Sequence, residues 1–264
     1  MLRYFIPAVA AIVLYTPALA QTAQPDAHAI EKEIVLGKTL AREMERHEKI
    51  LSDSTVTAYV VHLAENLAQH AGMQTQLESR VLDSSEVRAV AFPGGFLYLS
   101  SGLIAQAETE AELAGVLAHL MAHLSLRHAA RQQSGTPLMF IGSWKGCCTR
   151  FAGDNQVPIS LMSSLRSLET EADNAAIRYL RAARYDPLAM IEFFNKLRYE
   201  KPRLAQTWTA DDLLALRSYV EESLPPDPQY IVNTAAFDRM RERVTPAPKA
   251  PVSLERAILT RRPR

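Results

Sequence analysis

The sequence predicts an α+β protein, mostly helical, with one small β-sheet beside a helix that carries two histidines. Three observations predict it. Long stretches repeat apolar residues every three to four positions, the helical period. Short apolar runs separated by turn residues are confined to residues 76–100. The composition, 48% hydrophobic and 22% charged over 264 residues, is that of a globular chain with enough apolar mass for a substantial core.

The elements follow in order. Residues 1–20, MLRYFIPAVAAIVLYTPALA, read as a secretory signal, with Arg3 as a short positive region, an apolar run from Tyr4 to Tyr15, and Ala18-Leu19-Ala20 as a small-residue cleavage site before Gln21. The apolar run is shorter than the roughly 20 residues of a spanning helix, so no transmembrane segment is expected after cleavage. A polar leader, 21–27, precedes a helical pattern from His28 to Leu51 with Ile30, Ile34, Val35, Leu40 and Met44 among charges. Asp53 can cap a second helix running through Tyr59, Leu63 and Leu67 to Gly72. Gln76–Leu82, Val87–Ala91 and Phe96–Ser100 are strands, broken by Asp83-Ser84-Ser85 and Pro93-Gly94-Gly95. Thr109, with Glu112 three residues later, is a capping box that opens the histidine helix. Residues 132–158 read as a loop, and a long helix runs from about Ser160 to Ala183. Tyr185-Asp186-Pro187 starts another helix through Phe193 and Leu197. The tail holds Leu224-Pro225-Pro226, a short strand at Tyr230–Val232, a helix at Ala235–Val244 and a Pro-rich end. The expected organisation is a signal over 1–20, one domain over 28–200, and a helical extension with a Pro-rich tail over 201–264.

Charge excludes some partners. Twenty-nine basic residues balance twenty-nine acidic ones, which argues against nucleic acid or an anionic membrane surface. Export implies an oxidising compartment, but the two cysteines, Cys147 and Cys148, are adjacent and make neither a disulfide framework nor a zinc site.

The segment VLAHLMAHLSLRH, residues 116–128, admits two readings. His119 and His123 lie about 40° apart around a helix axis, so both imidazoles can face one ion. Equally, Leu113, Val116, Leu117, Leu120 and Leu124 form an apolar stripe, and the segment is self-consistent as a core helix. A second helix shifts the balance. SLRSLETEADNAA places Glu169 and Asp173 one turn apart: one carboxylate can complete a two-histidine, one-glutamate zinc site, and the other can fix an imidazole tautomer. Ala172 and Ala176 allow the two helices to approach closely.

These motifs resemble the CAAX-prenyl-protease and HtpX-like zinc metallopeptidases, the forty-eighth metallopeptidase family. His119-Leu120-Met121-Ala122-His123, followed by Arg127-His128, is similar to their H-E-x-x-H segment. Glu112-Leu113-Ala114-Gly115-Val116-Leu117-Ala118 is similar to its lead-in. Ala91-Phe92-Pro93-Gly94-Gly95 with Ser101-Gly102-Leu103 resembles their A-x-P-G-G and G-L segments. Arg166-x-x-Glu169-x-Glu171-Ala172-Asp173 resembles their R-x-x-E-x-E-A-D, and Tyr185-Asp186-Pro187 their Y-D-P turn. The resemblance spans about residues 30–200 and implies a zincin-like domain, one zinc ion on His119, His123 and Glu169, and Asp173 as the orienting carboxylate. It further implies that Phe96, Leu97, Tyr98 and Leu99 form a strand edge on which an extended peptide substrate lies.

One position departs sharply. Where the family carries its glutamate general base, this chain has Leu120. Such a base is worth about 10² to 10⁴ in rate, or roughly 3 to 5 kcal/mol. Leucine cannot relay protons. Leu165, Arg184 and the stretch Gln206-Thr207-Trp208-Thr209 also depart from the family pattern. The expectation is therefore an exported zinc metalloendopeptidase-family protein acting on extended or misfolded polypeptides, periplasmic if the source is a Gram-negative bacterium, with hydrolysis weak or absent. The alternative is a non-catalytic zinc-binding pseudoprotease with a peptide-binding or chaperone-like role among envelope proteins. A metal-free structural relic is the third reading.

Overall fold

The computed structural model describes residues 27–131, 139–141, 159–200, 208–223 and 229–245. The expected signal, both cysteines, the Leu224-Pro225-Pro226 turn and the Pro-rich end lie outside them. Helix α1 (Ala27–His47) is followed by α2 (Ser54–Ala68), and Asp53 caps α2 by accepting the Thr55 and Val56 N–H groups. Next come strands β1 (Glu78–Leu82), β2 (Ala89–Phe92) and β3 (Phe96–Ser100), then a short α3 (Ser101–Gln106). The histidine helix α4 (Glu110–Ser125) and the single turn α5 (His128–Arg131) precede β4 (Met139–Ile141). Four more helices close the chain: α6 (Ile159–Ala182), α7 (Pro187–Glu200), α8 (Ala210–Ser223) and α9 (Ala235–Val244). Among the described residues no helix is long and apolar enough to cross a membrane.

The sheet order is β1-β3-β2-β4. β3 pairs in parallel with β1, Arg80 opposite Tyr98, and antiparallel with β2, Val90 opposite Tyr98. All five residues of β3 are buried. This corrects the expected role of Phe96, Leu97, Tyr98 and Leu99: they form an inner strand whose backbone groups are already paired on both sides, so no peptide can add there. The sequence does carry the signal, because FLYLS is a continuous apolar run and a strand exposed on one face alternates instead. The loop expected over 132–158 is also corrected in part, since Met139–Ile141 pairs with β2. Tyr230–Val232 is no strand: Ile231 makes one isolated bridge with Tyr185.

Two apolar layers flank the sheet. On one face Leu40, Ala41 and Met44 of α1 pack with Val90, Phe92, Phe96 and Tyr98. On the other lies the main core, with α4 at its centre. Every α4 residue from Glu110 to His123 is buried, which is what a helix apolar around most of its circumference requires. Gly115 makes this possible. A Cβ there would sit 2.6 Å from Met190 Cβ, so the absent side chain lets α7 lie against α4. Leu213, Leu216 and Val220 of α8 and Phe237 and Met240 of α9 belong to this same core. Within 201–264, α8 and α9 thus pack into the same core as α4.

Candidate metal centre

The centre is built where α4 meets α6. Thr109 Oγ1 accepts the Glu112 N–H and fixes the start of α4, while the Glu112 carboxylate accepts the Glu108 N–H at 2.6 Å. Ala122, Ala172 and Ala175 pack together at the helix crossing. Their small side chains let polar groups of the two helices meet across the gap.

Those groups converge. His119 Nε2 and His123 Nε2 are 3.1 Å apart, and Glu169 Oε2 lies 3.3 Å from the first and 3.5 Å from the second. Asp173 Oδ1 is 2.9 Å from His119 Nδ1. The two histidines are 2% exposed, Asp173 6% and Glu169 9%. The sequence expectation that His119, His123, Glu169 and Asp173 meet is what the geometry shows. Arg184 sits elsewhere, at the end of α6, where its φ of 65° explains why the family pattern has glycine and its side chain donates to Gln229.

Burial and charge oppose each other here. Burial disfavours the His119 cation, but the Asp173 and Glu169 carboxylates overcome it and lift the group to about 9. His123 goes the other way, since burial outweighs Glu169 and lowers it. Burial also disfavours the Glu169 anion, and its bonds to both imidazoles reverse that, holding it far below the carboxylate range.

Two neighbours that the sequence reading named without a role at the site also stand here. His128 Nδ1 is 2.8 Å from His123 Nδ1. It is five residues away, beyond helical contact distance, and arrives because Arg127 turns the chain with a φ of 53°. Trp208 stacks on Phe194, with ring centroids 4.1 Å apart, and lies edge-on to His119 at 5.3 Å. Its indole N–H donates to Asp173 Oδ2 at 3.1 Å. Leu120 is 1% exposed and part of the main core.

The donor set suits a metal ion. Tetrahedral zinc bonded at about 2.0–2.1 Å requires ligand atoms roughly 3.3 Å apart, and the three observed separations bracket that value. The imidazoles are also prepared for ligation, because each Nδ1 is engaged and each Nε2 is turned inward.

Residues 54–214, more than half of the chain, match the family model for peptidase family M48. The chain belongs to that family, whose fold is zincin-like. It is 29% identical over 185 residues to the beta-barrel assembly-enhancing protease of Escherichia coli (strain K12), covering 64% of this chain and 38% of that protein. The protein of the same name from Yersinia pestis is 30% identical over 188 residues, with the same coverage of 64% and 38%. The mitochondrial metalloendopeptidase OMA1 of Schizosaccharomyces pombe is 27% identical over 154 residues, 53% of this chain and 44% of that protein. The chain thus spans 38% of the length of the bacterial relatives.

Proposed function

We propose that this chain is an exported family member that holds one zinc ion on His119, His123 and Glu169 and engages extended or misfolded polypeptides, with hydrolysis weak or absent. The convergence of three donor atoms 3.1, 3.3 and 3.5 Å apart carries the metal assignment. Zinc held there supplies Lewis-acid polarisation of a peptide carbonyl. The protein's part is positional. Asp173 accepts the His119 Nδ1–H and holds the ring, and Trp208 donates to the same carboxylate.

What this chain lacks is a proton carrier at position 120. Leu120, which stands where the resemblance expects the base, offers neither lone pair nor proton and is buried. Glu169 and Asp173 face the imidazoles and are engaged by them, so neither is free to take that role. Among the described residues, the outer strand on the α4 side of the sheet is β4, and its edge is the side this reading assigns to an extended client. The reading of residues 1–20 as a signal and the names of the bacterial relatives favour a setting in envelope protein quality control. The second reading, a purely non-catalytic clasp, is favoured by the burial of Leu120 together with both histidines.

Zinc content per chain and casein cleavage by the native protein and a Leu120→Glu variant test both. The expectation is one zinc per chain, slow native cleavage, and a gain of at least about tenfold in the variant, the lower part of what a general base supplies. Brisk native cleavage that chelation abolishes would overturn the loss of function at position 120. A chain purified under non-chelating conditions without zinc, and unable to take it up, would overturn the metal site. A zinc-loaded variant that stays silent selects the clasp.

A further inference from the structure

His128 is fully buried, lies outside α4, and is given no task by the ligand set. Its Nδ1 is 2.8 Å from His123 Nδ1. Two ring nitrogens at that distance share one hydrogen, so one donates and the other accepts. The direction follows from the other side of His123. Its Nε2 faces His119 Nε2 and Glu169 Oε2, where a metal ligand must present a lone pair. The neutral ring therefore carries its hydrogen on Nδ1 and donates it to His128 Nδ1. His128, neutral in turn, carries its hydrogen on Nε2. Among the described residues that buried nitrogen has no hydrogen-bond partner. Glu171 Oε2 lies 3.4 Å from it, on a carboxylate that Arg131 holds at 2.8 Å.

We propose that His128, with Glu171 behind it, is the positioning residue for His123: it fixes the tautomer that turns the His123 Nε2 lone pair into the centre. This rests on the metal reading given above and adds a second, separate support to it. The two ligands are thereby held differently. His119 leans on a carboxylate, Asp173, whereas His123 leans on a neutral imidazole, a weaker acceptor that leaves its ring less electron-rich. The path His123–His128–Glu171 also runs from the buried centre to a carboxylate that is 39% exposed. A residue that merely fills space needs none of this polarity.

The test uses the full chain, stripped of metal and titrated with zinc against a chromophoric chelator of known affinity. His128→Phe keeps the bulk and removes the acceptor, and is expected to weaken zinc binding by about 10- to 100-fold. His128→Gln restores an acceptor oxygen and recovers most of that loss. Glu171→Gln, at the protein surface, weakens binding by a few-fold and keeps the proposal testable should His128→Phe fail to fold. In the zinc-loaded native protein, ¹⁵N long-range coupling spectra show His128 protonated on Nε2 and bare on Nδ1. Undiminished affinity in His128→Phe, or a His128 protonated on Nδ1, overturns the proposal alone. A native chain that binds no zinc overturns the metal reading and this proposal with it.

Discussion

Zinc binding to the metal-free protein at pH 7 is expected to release one proton, and the structure says from where. In the absence of metal, burial works against a charged His119, but Asp173 at 2.9 Å and Glu169 at 3.3 Å raise it to about 9. At pH 7 it is therefore protonated. His123 is neutral, because burial lowers it, and Glu169 is already ionised. A zinc ion needs both imidazoles neutral, so it must displace the His119 proton. Between pH 7 and 9 the apparent affinity should rise, close to tenfold per unit at first and flattening as the pH reaches about 9, somewhat under two decades in all. Calorimetric titrations at pH 7 in buffers of different ionisation enthalpy give the proton count from the slope of heat against that enthalpy. A slope near one proton is expected, falling in Asp173→Asn, where the anionic partner is gone. The metal-free fold follows the same sign: a raised histidine stabilises fully below about 6.5 and loses that contribution as pH climbs through about 9. Tight zinc binding with no proton released at pH 7 would refute the reasoning, since the two carboxylates would then not be holding His119 charged.

Two further outcomes follow from the packing. Gly115→Val places a Cβ 2.6 Å from Met190 Cβ and 2.8 Å from its Cα, so α4 and α7 must separate; a loss of about 1–3 kcal/mol or more is expected in denaturant unfolding. Gly72→Ala serves as its control, because Gly72 has a φ of 60° but nothing within 4 Å, and only the backbone cost of about 1–2 kcal/mol applies. Trp208→Phe keeps the ring on Phe194 and deletes the N–H bonded to Asp173; losing that charge-assisted bond should cost about 1.5–3 kcal/mol, and an unchanged thermal midpoint would show the bond to be idle.

Much of the centre was legible along the chain because it is local. His119 and His123 are one turn apart on one helix, Glu169 and Asp173 one turn apart on another, and helical period alone puts each pair on one face. The Asp53 and Thr109 caps were legible for the same reason, since a capping bond spans three residues. Three of the sheet's four strands were legible as runs and their breaks, whereas β4 fell in a stretch read as loop. The sheet order was missed: β3 was expected at the edge but lies inside. The continuous apolar character of FLYLS was the available clue.

By itself, then, the sequence determined which helices carry His119, His123, Glu169 and Asp173, how those residues are spaced along each helix, and that a leucine stands at position 120. Tertiary structure alone decided what stands behind the donors and how the layers close. His128 reaches His123 through a left-handed turn at Arg127, and Trp208 reaches Asp173 across 35 residues of chain. The helices of 210–245 join the core of α4 by the same kind of long-range contact. The physical reason is one of range. Side-chain periodicity fixes the face a residue presents to its own helix or strand, whereas partners from distant elements are selected by packing that exists only once the whole core has closed.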